Sequence, residues 1–179
     1  MKETMTSSSE TRIWVIRPGK RSSPQLCRER EELFFHNGIA GLSDDHRIGD
    51  LRNGKRTKDE MREAVASGNA EMHAVTVASV VSKLTRLASD MQIGDWVLCP
   101  SRILKEYRIG IVESAYRFDA KATFQHVRDV RWVGGIAKHA LSIDAQRELG
   151  AARLFFECKR NAEEVRSLMT QLIVRAKNK

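Results

Sequence analysis

The sequence has few cysteines: Cys27, Cys99 and Cys158, widely spaced and odd in number among 179 residues. With no CxxC or CxxxH pair they offer neither zinc-ligand spacing nor a disulfide framework. No metal or other cofactor is therefore expected, and the thiols read as buried and free in a reducing cytoplasm. No apolar run approaches the roughly 20 residues that span a bilayer, so no membrane partner is expected. The opening residues MKETMTSSSE lack the apolar core of a signal peptide and read as a disordered lead-in, 1–10. HExxH, a phosphate-cradling glycine loop and a Ser/His/Asp ordering are also missing. Without repeats or a clear linker, residues 11–179 read as one domain ending in a helix.

What is present in excess is positive charge. The net charge of +8 and pI near 9.7 point to an anionic partner, most simply nucleic acid. Hydrophobic residues at 41% and charged residues at 30% sit within the range of a soluble globular chain.

Period-two patterning marks the strands. RIWVIR is one, ended by Pro18-Gly19, and GIAGL is a second. WVLCP, YRIGIVESAYRF and FQHVRDVRWVG read as three consecutive antiparallel strands between Met91 and Gly135, and ARLFFEC as a last one. Helices are expected over 25–36, from the Thr57 cap with Glu60 to about Ser67, over about 74–89, and from the Ser142 cap to Gly150. A final helix should open at Asn161 with Glu164 in the capping-box position. Val77, Val80, Val81, Leu84, Leu87, Ala88 and Met91 form one apolar stripe.

The central strands interleave aromatics with cations, a pattern suited to stacking bases and holding phosphates. Trp14, Trp96, Tyr107, Tyr116 and Trp132 are the ring candidates, and Ser43, Ser101 and His126 could hydrogen-bond a base edge. Arg17, Lys20, Arg21, Arg102, Lys105, Arg108, Arg117, Arg128 and Arg131 are the phosphate candidates. Beside this stands a plainer assignment. Tryptophans in a small barrel commonly pack in its core, serines and histidines finish turns, and cations guard strand edges.

IWVIRPGK, HNGIAGL, TKDEMREA, MQIGDWVLCP, IGIVESAYRFD, FQHVRDVRWVGG and RELGAARLFFE follow one another in an order that resembles a known module. It is the PUA-like (EVE/YTH-related) domain at the N-terminus of Mrr-type restriction endonucleases. The resemblance, over roughly 11–157, implies an α+β fold: a PUA-like bent β-barrel flanked by helices, with a pocket at one end. It implies a non-enzymatic module that reads a modified or extruded base in bacterial defence, DNA rather than RNA. Ser43 falls where relatives often carry tryptophan. The nuclease domain that usually follows is absent from the sequence, so cleavage would fall to a nuclease partner.

Two alternatives remain open. Asp144, Glu157 and Lys159 have the residue types of a PD-(D/E)xK nuclease, in which two carboxylates hold Mg²⁺ and a lysine steadies the developing charge. ExK is short and arises by chance in a chain rich in both residues, and an acidic residue at Asp144 suits a first helical turn. Alternatively, Leu168, Leu172 and Ile173 on the last helix could bind a protein partner or a second copy, giving a homodimer.

Overall fold

Strand β1 (Ile13–Ile16) is buried at all four positions, which requires cover on both faces of its sheet. A computed structural model describes residues 11–19, 23–52, 56–68 and 71–177. The expected lead-in 1–10 lies outside the described residues.

Helix α1 (Pro24–Asn37) starts where the Ser23 side chain accepts from the Leu26 amide, and it ends at Gly38, whose φ of 61° takes the left-handed turn. Strand β2 (Ile39–Leu42) follows. Helix α2 (Lys58–Gly68) opens with the expected reciprocal cap: Thr57 N donates to Glu60 Oε2 at 2.6 Å, and Glu60 N to Thr57 Oγ1 at 3.2 Å. Helix α3 (Ala74–Thr85) passes into a π-helical turn at Arg86–Asp90.

Strands β3 (Trp96–Pro100), β4 (Glu106–Val112), β5 (Arg117–Phe118) and β6 (His126–Ala137) come next. Helix α4 (Ile143–Leu149), strand β7 (Phe155–Glu157) and helix α5 (Ala162–Lys177) complete the chain. The strand order is β2-β6-β4-β3-β1-β7, with β5 also on β6. β1 runs parallel to β3, and the other pairs are antiparallel. Between β4 and β6 the register shifts: Ile109 faces Gly134, but Gly110 faces Trp132. An extra residue at that point bends the ladder and raises its twist. The result is the expected α+β class, a curled sheet flanked by helices.

Alternation assigns each strand's side chains to two cores. Trp14, Val97, Cys99, Val112 and Val130 pack with Met61, Val65, Val81 and Leu84 of α2 and α3 on one face. Ile13, Val15, Leu98 and Ile109 pack with Leu149 of α4 and Val165 and Met169 of α5 on the other. Cys27, Cys99 and Cys158 are free and buried. No helix among the described residues is long and apolar enough to cross a membrane.

One expected cap is wired differently. Glu164 reaches out of α5 to Ser142, accepting from its amide and its hydroxyl, each at 2.6 Å. Asn161 instead donates its amide to Glu148 at 2.9 Å and its side chain at 2.8 Å. Both carboxylates thereby tie α4 to the start of α5.

Candidate functional site

Burial of the sheet on both faces decides what becomes of the expected ring residues. Trp14 is 1% exposed, donates its indole N–H to Asp95 at 2.8 Å and stacks on Phe155 with centroids 5.1 Å apart. Tyr107 and Tyr116 are buried. Trp132 is half-buried, with its N–H on the Phe34 carbonyl at 3.0 Å and its ring edge-on to Phe35. Trp96 is half-buried beneath the Arg166 guanidinium, 5.7 Å from its ring centre. Ser101 is buried against Glu31, donating to its carboxylate. Trp14, Tyr107, Tyr116 and Ser101 are thus interior, whereas Trp96 and Trp132 keep part of their rings exposed.

Several of the expected phosphate residues are engaged with other groups of the chain. Arg108 pairs with Glu106 at 3.2 Å, Arg117 with Asp129 at 2.6 Å and Arg131 with Glu113 at 2.6 Å. Arg128, 4% exposed, donates to the carbonyls of Leu87, Ala88, Met91 and Ser114 at 2.7–3.1 Å. Burial lowers its pKa, and the converging carbonyls hold the charge in place. Arg17 donates to the carbonyls of Leu149, Ala151 and Arg153. The Arg102 guanidinium reaches Cys27 Sγ at 3.6 Å, and Lys105 sits exposed on a turn with φ of 51°. Lys20 and Arg21 lie outside the described residues.

Asp144 pairs with Arg147, and Glu157 with Lys159 at 3.3 Å. No three metal-ligating side chains converge among the described residues. Asp144 and Glu157 are thus each engaged within their own segment rather than joined around a third ligand.

The open space lies elsewhere. A cavity of about 430 Å³ lies between α1, the end of β2 and α3, of a size that takes small ligands. Leu26, Leu42, Val80, Leu84 and Phe124 supply apolar wall, while Ser43, Asp44 and Asp45 bring oxygens and Arg30 a guanidinium. Its wall depends on the close approach of β2 to β6. A Cβ on Gly41 would stand 2.6 Å from the His126 carbonyl oxygen and from Val127 Cγ1, so only glycine fits.

The loop after β2 is pinned from beneath. Asp44 accepts from the Ile48 amide at 2.7 Å and the Gly49 amide at 2.8 Å, and its own amide donates to Gln125 at 2.7 Å. His126, fully buried, places Nε2 3.5 Å from Asp44 Oδ1, and its Nδ1 is 2.7 Å from the Tyr116 hydroxyl. That hydroxyl also accepts from the Leu51 amide at 3.3 Å, which ties the loop to the same buried pair. Burial pushes the Tyr116 hydroxyl up to about 12, which keeps it a donor. Burial would also raise Asp44, but the nearby His126 and the bonds from the Gly49 and Ile48 amides prevail and hold the carboxyl below its ordinary value.

Arg30 is the distinctive group. Its guanidinium carbon lies 5.8 Å from the centre of the Phe124 ring, and its buried Nε has no hydrogen-bond partner. Among the described residues no carboxylate pairs with it. A half-buried cation on an aromatic face, beside an apolar cavity, is poised to accept an anion.

A second cavity of about 490 Å³ shares Arg17, Gly19, Lys83 and Leu154 with the first. Of the expected residues only Ser43 and Arg17 line these spaces; Arg30, Phe124 and Asp45 were not singled out in the sequence. The usable signal was Arg30 within the polar run before Leu33, four residues ahead of Phe34, where a helix turns it toward the same side as the core.

The model of a family described as a domain of unknown function (DUF8426) matches residues 14–150. No curated protein matches. Among solved structures, the chain is similar to the YTH domain of Zygosaccharomyces rouxii MRB1 protein, in complex with N6-methyladenosine RNA. The identity is 13% and the TM-score 0.47, over 96% of this chain and 93% of that one.

Proposed function

We propose, for a chain that belongs to the family described as a domain of unknown function (DUF8426), that it is a nucleic-acid-binding module taking one nucleotide into the cavity between α1, β2 and α3. The observation that carries this reading is Arg30, a cation without a carboxylate partner lying on Phe124 at an apolar cavity. Apolar walls suit the faces of a base, and Phe124 brings a ring to the same space. The exposed Asp45 offers an acceptor for an exocyclic amino group, and Arg30 a charge for the sugar-phosphate chain.

A base can enter only if it is unpaired or extruded, since a duplex hides both of its faces. The apolar wall of Leu42, Val80 and Leu84 gives an added methyl group somewhere to lie, which supports a modified base as the preferred guest. The preference for DNA, the setting in bacterial defence and a nuclease partner rest on the sequence resemblance alone. The cytoplasmic setting rests on the free thiols.

Fluorescence anisotropy with labelled oligonucleotides tests the reading, using single strands and duplexes, DNA and RNA, with and without a methylated base. Arg30→Ala is expected to weaken binding at least tenfold, about 1.4 kcal/mol, while keeping a cooperative urea transition. Failure of the unaltered protein to bind any of these nucleic acids overturns the reading.

A further inference from the structure

The second cavity differs from the first in its charge. Arg86, Arg153, Lys83 and Arg17 line it together with the hydroxyl-bearing Ser79 and Ser82, and no carboxylate does. Ser79, Ser82 and Arg86 follow one another at spacings of three and four residues along α3 and into the π-helical turn, so they lie on one side. The guanidinium of Arg153 lies 4.7 Å from the centre of the Phe156 ring, which holds the cation at this cavity. Neither Arg86 nor Arg153 has a carboxylate partner among the described residues. Elsewhere on the sheet, by contrast, each of Arg108, Arg117 and Arg131 has one.

The guanidiniums of Arg86 and Arg153, with the two hydroxyls and no carboxylate, suit a phosphate group. The site adjoins the first cavity through Arg17, Gly19, Lys83 and Leu154, so one ligand can reach both. We infer that the second cavity binds the phosphate of the neighbouring nucleotide, so that the ligand is a single strand of at least two nucleotides rather than a free nucleotide. This inference rests on the nucleotide reading of the first cavity.

The test compares a labelled single-stranded octamer with a nucleoside 5′-monophosphate as competitor, on the whole chain, at several salt concentrations. Vesicles of anionic phospholipid serve as the other phosphate source. Arg86→Glu/Arg153→Glu is expected to weaken the octamer at least tenfold and to erase its advantage over the mononucleotide. Arg86→Ala/Arg153→Ala, free of added repulsion, should lower the slope of log affinity against log salt by about 0.7 for each phosphate no longer neutralised. Both arginines are exposed, so the variants should keep the parent's urea midpoint.

If both double variants keep the octamer's affinity and salt slope while Arg30→Ala loses binding, the inference falls and the first cavity stands. The inference also falls if the mononucleotide loses as much as the octamer, since one nucleotide would then fill both cavities. Binding to the vesicles and to no oligonucleotide overturns the nucleotide reading together with it.

Discussion

At the scale of single residues, buried polar groups fix the parts that surround the cavity. Asp95, buried at a turn, accepts from the Arg12 amide, the Trp14 indole and the Gln92 amide at 2.8–3.1 Å, locking β1 to the entry of β3. Asp44 does the same for the cavity loop, and its ionisation makes that loop sensitive to acid. A carboxylate held below its unfolded value contributes stability that is complete above that value, 3.8 here, and is lost as pH falls through the folded one. The loop is therefore expected to stay pinned at neutral pH and to loosen in acid, below about pH 4. Hydrogen exchange at the Ile48 and Gly49 amides, followed from neutral pH downward, checks this after correction for the intrinsic pH dependence. Asp44→Asn should remove the acid step, and an unchanged step in that variant would assign it to other carboxylates.

Among the elements, α5 bears most directly on the alternative of a protein-binding helix. Val165 and Met169 are fully buried in the second core, with Leu168 and Leu172 packed against it. Its apolar face covers β3, β4 and β6 rather than standing open for a partner. Ending the chain before Asn161 uncovers several side chains worth about 1.5–3 kcal/mol each. Such a truncation should lose the cooperative urea transition; a truncated chain that unfolds as sharply as the parent would show α5 to be dispensable. The reciprocal cap of Thr57 and Glu60 was legible in four consecutive residues, because all of its donors and acceptors are local. The Asn161–Glu164 pattern was not, because Ser142 and Glu148 stand close only after α4 has docked.

Over the whole molecule, the placement of charge matters more than its sum. Arg108, Arg117 and Arg131 on the sheet are matched by carboxylates, whereas Arg30, Arg86 and Arg153 around the cavities are not. Arg117→Ala/Arg131→Ala should leave octamer binding within about twofold, because both arginines are paired with carboxylates and line neither cavity. A loss equal to that of the Arg86/Arg153 variants would return the binding face to the sheet. Measurement at two salt concentrations separates a local effect from a change in the overall field.

The sequence by itself determined most elements and the facing of β1, β3 and β4, since a period of two and a helical stripe depend only on neighbours along the chain. It ran β4 and β5 together, and it set Val127 opposite Val130 although both join one core. Val97 and Cys99 against Trp96 and Leu98 is the division found in the two cores. Tertiary structure alone decided that both faces are covered, which turned Trp14, Tyr107, Tyr116 and His126 into interior groups. It alone decided which arginines meet a carboxylate and which face open space. Whether a cation is neutralised is a matter of distance between segments such as β4 and β6 or α3 and β7, and local patterning holds no record of those distances.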